Sequence, residues 1–391
     1  MKNYTLLICL ALIAFSCKKY DQHLQNAMQI YHRIKTEKAP DKREAIFDVI
    51  FTKSEKHFVI KGETSLPEAK ARLLAELSKS GYLVTDSLII LPDEKNDSLC
   101  WALVNVSVCN LRTIPGHDAE MASQALLGTP VRVLKKQQGW YLVQTPDKYI
   151  GWVDPGVLFL LSRQGIENWK SQPRAIYRPS FGLAFHPDSG KPVTDLVAGC
   201  ILRFEENSGN MCLLSMPDGR LVKVLQTDIE DFETWKQKDI PPISQISKTA
   251  ELFAGCPYLW GGTSTKGVDC SGFVKMVYFL NGVILARDAS LQFQHGEKIT
   301  GEQGWQGLQE GDLVFFGREE TTEKPAKATH VGYYLGDSEF IHASGFVRIN
   351  SLDPERENYY DRDIAMLGGR RIINSIINTD GIIKISDHPW Y

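Results

Sequence analysis

The chain has no Cys-x-x-Cys pair, no excess of one charge, and no apolar run long enough to cross a membrane as a helix. The first absence removes the usual ligand spacing of a structural zinc site, and nothing else in the sequence calls for a metal or organic cofactor. The second is quantitative: 44 Lys and Arg against 47 Asp and Glu leave a net charge of −3. A domain that binds nucleic acid carries a basic stripe, so no nucleic-acid partner is expected. The third applies to the one apolar run near the start, Tyr4 to Phe15, which falls short of the ~20 residues that span a bilayer. Lying behind Lys2 and ending in small or polar residues, it reads as an export signal.

Eight cysteines occur, at positions 9, 17, 100, 109, 200, 212, 256 and 270. Two fall in the signal region and one is a candidate nucleophile, so the five left cannot all pair. Cys100 with Cys109 and Cys200 with Cys212 remain open as pairs, but buried thiols are the simpler reading. A length of 391 residues with 43% hydrophobic and 10% aromatic residues is that of an ordinary folded protein of two to four domains.

The stretch that organises the rest runs Cys256-Pro257-Tyr258-Leu259-Trp260-Gly261-Gly262, then Gly267-Val268-Asp269-Cys270-Ser271-Gly272-Phe273-Val274. It reads as a glycine-rich loop feeding a buried helix. Asp269 is suited to cap that helix, because its carboxylate can accept the first free backbone N–H groups. Phe273, Val274, Val277 and Tyr278 recur at helical spacing, and Asn281-Gly282 supplies a left-handed stop. Cys270 then sits in the first turn, where the helix dipole favours an anion. On that ground it is expected to be a thiol of lowered pKa, a candidate nucleophile with its own backbone N–H placed to stabilise an oxyanion.

Downstream, Thr329-His330-Val331-Gly332-Tyr333-Tyr334-Leu335-Gly336-Asp337 and Phe340-Ile341-His342-Ala343 read as two strands around a tight turn, each with one histidine. His330 is placed to act as base to the thiol and His342 to orient His330, the logic of a catalytic triad. Side chains alternate faces along a strand, so both rings share a face only if the loop has an odd number of residues or a bulge supplies the same shift. A loop of Leu335-Gly336-Asp337 would set His330 directly opposite His342, with Cβ atoms ~5 Å apart.

These residues carry a family resemblance. Pro257-Tyr258-x-Trp260-Gly261-Gly262, Asp269-Cys270-Ser271-Gly272-Phe273-Val274, Gly311-Asp312-Leu313-Val314-Phe315-Phe316, His330-Val331-Gly332-x-Tyr334-Leu335-Gly336 and Phe340-Ile341-His342-Ala343 stand in order over residues 245 to 373. Together they resemble the NlpC family of cell-wall cysteine peptidases, a papain-like fold that cleaves γ-D-glutamyl bonds to a diamino acid. The resemblance implies Cys270 as nucleophile, His330 as base and His342 as the orienting residue.

The rest of the chain divides by pattern. Residues 1–17 are the export signal, and Ala14-Phe15-Ser16-Cys17 resembles a loose lipobox, which would make Cys17 a lipidated N-terminus. A plain signal peptide cut nearby stays open. Either way the protein is expected to be exported across the inner membrane, and the lipobox places it on a membrane anchor in the periplasm or at the outer membrane. Residues 18–100 read as a small α+β domain: a helical stripe of Leu24, Ala27, Met28 and Tyr31, strands at His57–Ile60 and Leu88–Leu91, and a helix from Ser65, with Glu68 completing a capping box, to Gly81. Residues 101–165 resemble a bacterial SH3-like barrel, from Asn110-Leu111-Arg112 to Gly151-Trp152-Val153, and 166–240 a divergent second copy. Pro241-Pro242 leads stiffly into the peptidase domain, 241–391. The expected fold is thus α+β, a papain-like peptidase domain preceded by two SH3-like barrels and a small α+β domain.

On the substrate side, Tyr258 is placed to face the thiol and hydrogen-bond substrate or oxyanion, and Asp269 and Ser271 flank the nucleophile. Arg287-Asp288-Ala289 resembles the branch of the family that acts as dipeptidyl peptidases on cell-wall peptide fragments. In that branch the aspartate, helped by an acid of the first barrel, binds a free N-terminal amine, which implies Asp288 with Glu120 and Tyr149 as the barrel's share. For Glu120 an ordinary exposed loop acid is the alternative. The expected substrate is a peptidoglycan-derived peptide. An endopeptidase on intact wall stems, a non-catalytic wall binder, and an amidase or acyltransferase on the same scaffold are the rivals.

Overall fold

The computed structural model describes residues 22–54, 57–93, 98–299, 305–361, 363–375 and 381–391. The expected export signal and Cys17 lie outside the described residues. The chain divides into two compact units between Ser98 and Leu99.

In the first unit a helix over 22–38 precedes strands Phe47–Ser54 and His57–Thr64, the helix Pro67–Lys79 and the strand Leu83–Ile90. The middle strand pairs antiparallel with the first and parallel with the third. A parallel pair needs a crossover, and the helix Pro67–Lys79 supplies it. Its buried Ala69, Leu73 and Leu77 meet Ala27, Tyr31 and Ile34 of the first helix. Three details differ from expectation. Met28 is exposed, and the stripe continues through Ile34 instead. The third strand begins at Leu83, five residues earlier than its apolar run suggests. No capping box forms: the Ser65 hydroxyl accepts the Ile46 N–H at 3.0 Å, and the helix starts at Pro67, whose fixed φ and missing N–H suit a first turn.

The second unit opens with seven antiparallel strands between Trp101 and Leu161, followed by seven more between Arg174 and Asp231. Strands of the first set alternate inward residues such as Leu111, Val131, Val133, Val143 and Val153 around their own small core. The second set shares one core with the domain over 241–391, in which Cys200, Leu214 and Val224 belong to the same cluster as Phe273, Val277 and Tyr333. None of the six described cysteines is in a disulfide.

The domain over 241–391 packs the helix Cys270–Phe279 against a six-stranded antiparallel sheet. Its order runs Glu297–Ile299, Ala365–Arg371, Leu313–Arg318, Lys327–Gly336, Glu339–Ser344 and Phe346–Ser351. A final strap returns to the front of the chain. Ile382–Lys384 pairs with Val283–Leu285, the His388 Nε2 donates to the Pro146 carbonyl at 3.0 Å, and Tyr391 is buried with Leu103, Ile201, Phe232 and Trp235. Both strand sets and the domain over 241–391 are thereby held by one segment.

Burial holds the His388 imidazole below its ordinary value of 6.5, so the folded protein favours the neutral ring. A histidine with a depressed folded pKa contributes stability that is present above about 6.5 and is lost as pH falls from there toward the folded value. We expect thermal stability to decline over that acid range and to decline less in His388→Gln, which keeps a donor for Pro146 but takes up no proton. Melting temperatures measured from pH 7.5 to 5 check this.

Candidate active site

The loop before the nucleophile helix is held by backbone packed on backbone. A Cβ on Gly272 would lie 2.0 Å from the Gly262 carbonyl oxygen, and one on Gly261 would lie 2.5 Å from the Met121 oxygen of the first barrel. Only glycine permits either approach. Asp269 caps the helix as expected, accepting the Gly272 N–H at 2.7 Å, and its other oxygen accepts the Gly261 N–H at 3.0 Å.

Behind this cap lies a residue to which the sequence assigned no role. Arg287 is wholly buried and grips the Asp269 carboxylate with both terminal nitrogens, at 3.0 and 2.6 Å. Its Nε donates to Ser123 Oγ of the first barrel at 3.0 Å, and one terminal nitrogen also donates to Ser271 Oγ at 3.0 Å. The Ser271 hydroxyl in turn donates to Asp269 at 3.2 Å. Asp269 and Ser271, expected as substrate-binding residues, therefore spend these groups on bracing the nucleophile turn. The fork of a guanidinium matches a carboxylate in this way where a lysine would not.

Cys270 sits in the first helical turn, buried. Its expected acidity is not met. Burial, with the Asp269 carboxylate adding to it, pushes the thiol up to about 12, and the pull of Arg287 and of the Val331 and Ser271 N–H groups is the smaller effect. Desolvation outweighs the helix start, so the resting group is a thiol that must hand its proton to a base.

The histidine hairpin supplies that base. Its turn is Asp337-Ser338, both with positive φ (48° and 65°), and the register shifts between Tyr334 and Gly336. Tyr333 faces Ile341, so His342 lies opposite Gly332 and His330 lies diagonal to it, not directly across as a three-residue loop would require. The bulge restores the parity that the two-residue turn removes. Gly332 leaves room for this: a Cβ there would sit 2.5 Å from the Phe340 ring and 3.2 Å from the His342 Cβ. Both rings share a face, with His330 Nε2 at 2.6 Å from His342 Nδ1. The Val331 N–H that points at the thiol comes from the residue after His330.

Two more residues complete the pair, and neither stands out in the sequence. His342 Nε2 lies 2.9 Å from Asn350 Oδ1. Tyr360 stacks on His330 with ring centroids 5.7 Å apart and meets the His342 ring edge-on at 4.8 Å. Alternation on the strand Phe346–Ser351 makes Asn350 a polar residue of the right parity, but only the structure shows it pointing at His342. Tyr258, His330, Gly345 and Tyr360 line an open cleft of about 480 Å³, and the phenol of the half-buried Tyr258 is raised by burial and then by Cys270.

The first barrel closes one side. Tyr149 Oη donates to Asp288 Oδ2 at 3.1 Å, which joins the two residues the resemblance had paired. Glu120 is exposed and accepts the Trp260 Nε1–H at 2.8 Å, on the loop before the nucleophile. Gln124 clamps Thr263 through two bonds of 2.9 Å, and Asp147 pairs with Lys275 of the nucleophile helix at 2.7 Å. His186 accepts the N–H groups of Asp188 and Ser189, and His117 packs on Trp140.

Arg287→Met would strand the buried Asp269 carboxylate, and breaking such a pair costs roughly 3–5 kcal/mol. Urea unfolding should show a loss of that size.

Comparison with known proteins agrees with this architecture. Residues 255–366 match the NlpC/P60 family and residues 111–156 match the bacterial dipeptidyl-peptidase Sh3 domain. The chain is 26% identical to a gamma-D-glutamyl-L-lysine dipeptidyl-peptidase of Bacillus cereus, over 75% of this chain and 88% of that one. It is 30% identical to dipeptidyl-peptidase 6 of Lysinibacillus sphaericus, over 68% of this chain and 96% of the relative. A crystal structure of an NlpC/P60 family protein from Bacillus cereus superposes with a TM-score of 0.59 at 22% identity, covering 69% of this chain and 99% of that one. With a thiol at a capped helix start, a histidine pair on the facing hairpin and a match along nearly the whole Lysinibacillus relative, the chain belongs to the NlpC/P60 family of cysteine peptidases.

Proposed function

We propose that this peptidase hydrolyses the γ-D-glutamyl–diamino acid bond of peptidoglycan-derived peptides that carry a free N-terminal L-Ala, releasing L-Ala-γ-D-Glu. The observation that carries the reading is the Tyr149–Asp288 contact at 3.1 Å, a first-barrel phenol set on an acid of the peptidase domain beside the nucleophile turn. Relatives named for γ-D-glutamyl-L-lysine and dipeptidyl-peptidase activity support it.

Cys270 Sγ attacks the glutamyl carbonyl while His330 takes the thiol proton. The tetrahedral oxyanion collapses as the proton passes from His330 to the leaving amine. Water, deprotonated by the same histidine, then cleaves the thioester and restores the thiol. The Cys270 N–H, which points out of the helix start, and the Tyr258 phenol are the donors for the oxyanion. Asp288, with Tyr149 and with Glu120 as the barrel's acid, receives the α-ammonium of the first residue. An acetylated or lactyl-linked alanine has no charge to offer and would leave that carboxylate with the Tyr149 phenol and Arg287 but without the ammonium. At roughly 1.5–3 kcal/mol for a lost hydrogen bond to a charged group, discrimination in kcat/KM is on the order of 10- to 100-fold.

Export and anchoring belong to this proposal: a lipid on Cys17 would hold the enzyme at a membrane in the periplasm. Mass spectrometry of the mature N-terminus checks it, and an unmodified end downstream of Cys17 in the soluble fraction would sink the anchor.

The central test is mass spectrometry of products from L-Ala-γ-D-Glu-diamino acid tripeptides with free and N-acetylated ends. Cleavage of the free peptide alone is expected, and comparable rates on both would favour the wall-endopeptidase reading. Asp288→Asn should lose most activity on the free tripeptide with the fold intact. Cys270→Ala and His330→Ala should each abolish turnover, His342→Ala should cost less, and iodoacetamide labelling of Cys270 at neutral pH should slow at least tenfold in His330→Ala, since the raised thiol then lacks its base.

A further inference from the structure

We infer that Asn350 is a positioning residue that fixes the proton tautomer of both histidines and so places the basic lone pair of His330 on Nδ1. The inference rests on the reading of Cys270 and His330 as nucleophile and base, and it follows from donors and acceptors taken in order from the far end. The Asn358 backbone carbonyl can only accept, and it is held in place by the Ser351 N–H at 2.9 Å. The Asn350 side chain meets the same oxygen at 2.8 Å, so the group facing it must be the amide NH2. That settles the flip of the amide: Oδ1 is turned toward His342 Nε2, 2.9 Å away. An amide oxygen is an acceptor, so His342 Nε2 carries the proton, and in the neutral ring Nδ1 is bare.

The next link is His330 Nε2, 2.6 Å from that bare nitrogen. It must donate, and the neutral His330 then has its lone pair on Nδ1. The tautomers are assigned from the hydrogen-bond network. The opposite assignment needs every link reversed. Asn350 would turn its oxygen to the Asn358 carbonyl, two acceptors ~2.8 Å apart would face each other, and His330 Nδ1 would already hold a proton and could take none from the thiol. His342 is wholly buried, so no solvent satisfies an alternative arrangement. Tyr360, stacked on one ring and edge-on to the other, opposes rotation of either.

During turnover His330 takes the Cys270 proton at Nδ1 and becomes an imidazolium, and its Nε2–H still points at the lone pair of His342. On protonation of the leaving amine it returns to the same tautomer. A neutral amide does this without adding a negative charge next to a thiolate that must form in a buried site, where a carboxylate in its place would oppose it.

The test has a spectroscopic and a kinetic arm. In protein labelled with 15N-histidine, two-bond 1H–15N spectra assigned with His330→Gln and His342→Gln should show both wild-type rings as the Nε2–H tautomer at pH 8. Asn350→Leu, which can neither donate nor accept, should give a mixture. With a free L-Ala-γ-D-Glu-L-Lys tripeptide, kcat in Asn350→Leu should fall roughly 10- to 100-fold, the range for a lost partner of a working histidine, with KM little changed. Asn350→Asp keeps an acceptor for His342 and should retain several-fold more kcat than Asn350→Leu. A wild-type His330 protonated on Nδ1, or an Asn350→Leu kcat within twofold of wild type, would overturn the inference. Turnover that survives in Cys270→Ala overturns the peptidase reading instead, and the spectrum, which needs no substrate, still decides the role of Asn350.

Discussion

The grip of Arg287 on Asp269 is the contact on which the rest of the site depends. It is buried, bidentate and shared, since the same guanidinium reaches Ser123 in the first barrel and Ser271 beside the nucleophile. Asp269 in turn caps the helix and ties down Gly261. A buried ion pair of this kind is weak evidence for net stability, because both partners give up hydration to form it. What it supplies is position. The barrel wall, the glycine turn and the thiol are fixed relative to one another by a single side chain, so preorganisation of the reacting sulfur is set before any substrate arrives.

Much of this arrangement can be read along the chain. The cap at Asp269, the helix behind it and the left-handed stop at Gly282 are local, and local chemistry decides them. Parity of the two histidines is also legible, because side-chain alternation is a property of any strand. Their register is not: it depends on where the bulge falls, near Leu335, which no short pattern specifies. The thiol shows the sharper limit. Helix position argues for acidity, yet burial wins, and that burial comes from the loop, the hairpin and the sheet closing together.

Arg287 and Asn350 escaped assignment for a related reason. Their partners lie on other elements, Asp269 and Ser123 for the one and His342 and Asn358 for the other, so their meaning exists only in the folded chain. The capping box expected at Ser65 failed on competition, although the helix itself forms. The Ser65 hydroxyl had an acceptor role to fill at Ile46, and Pro67 starts a helix without help.

The two-residue turn at Asp337-Ser338 and the bulge beside it also bear on how this enzyme can change over time. In most surface hairpins, gaining or losing one residue costs only a little loop entropy. Here one codon added to or removed from the stretch between Gly332 and His342 would shift the strand by a step, turn one imidazole to the opposite face of the sheet and empty the site. A loop at the molecular surface, ordinarily the place where lineages drift in length, is held to a fixed count by the arithmetic of alternation.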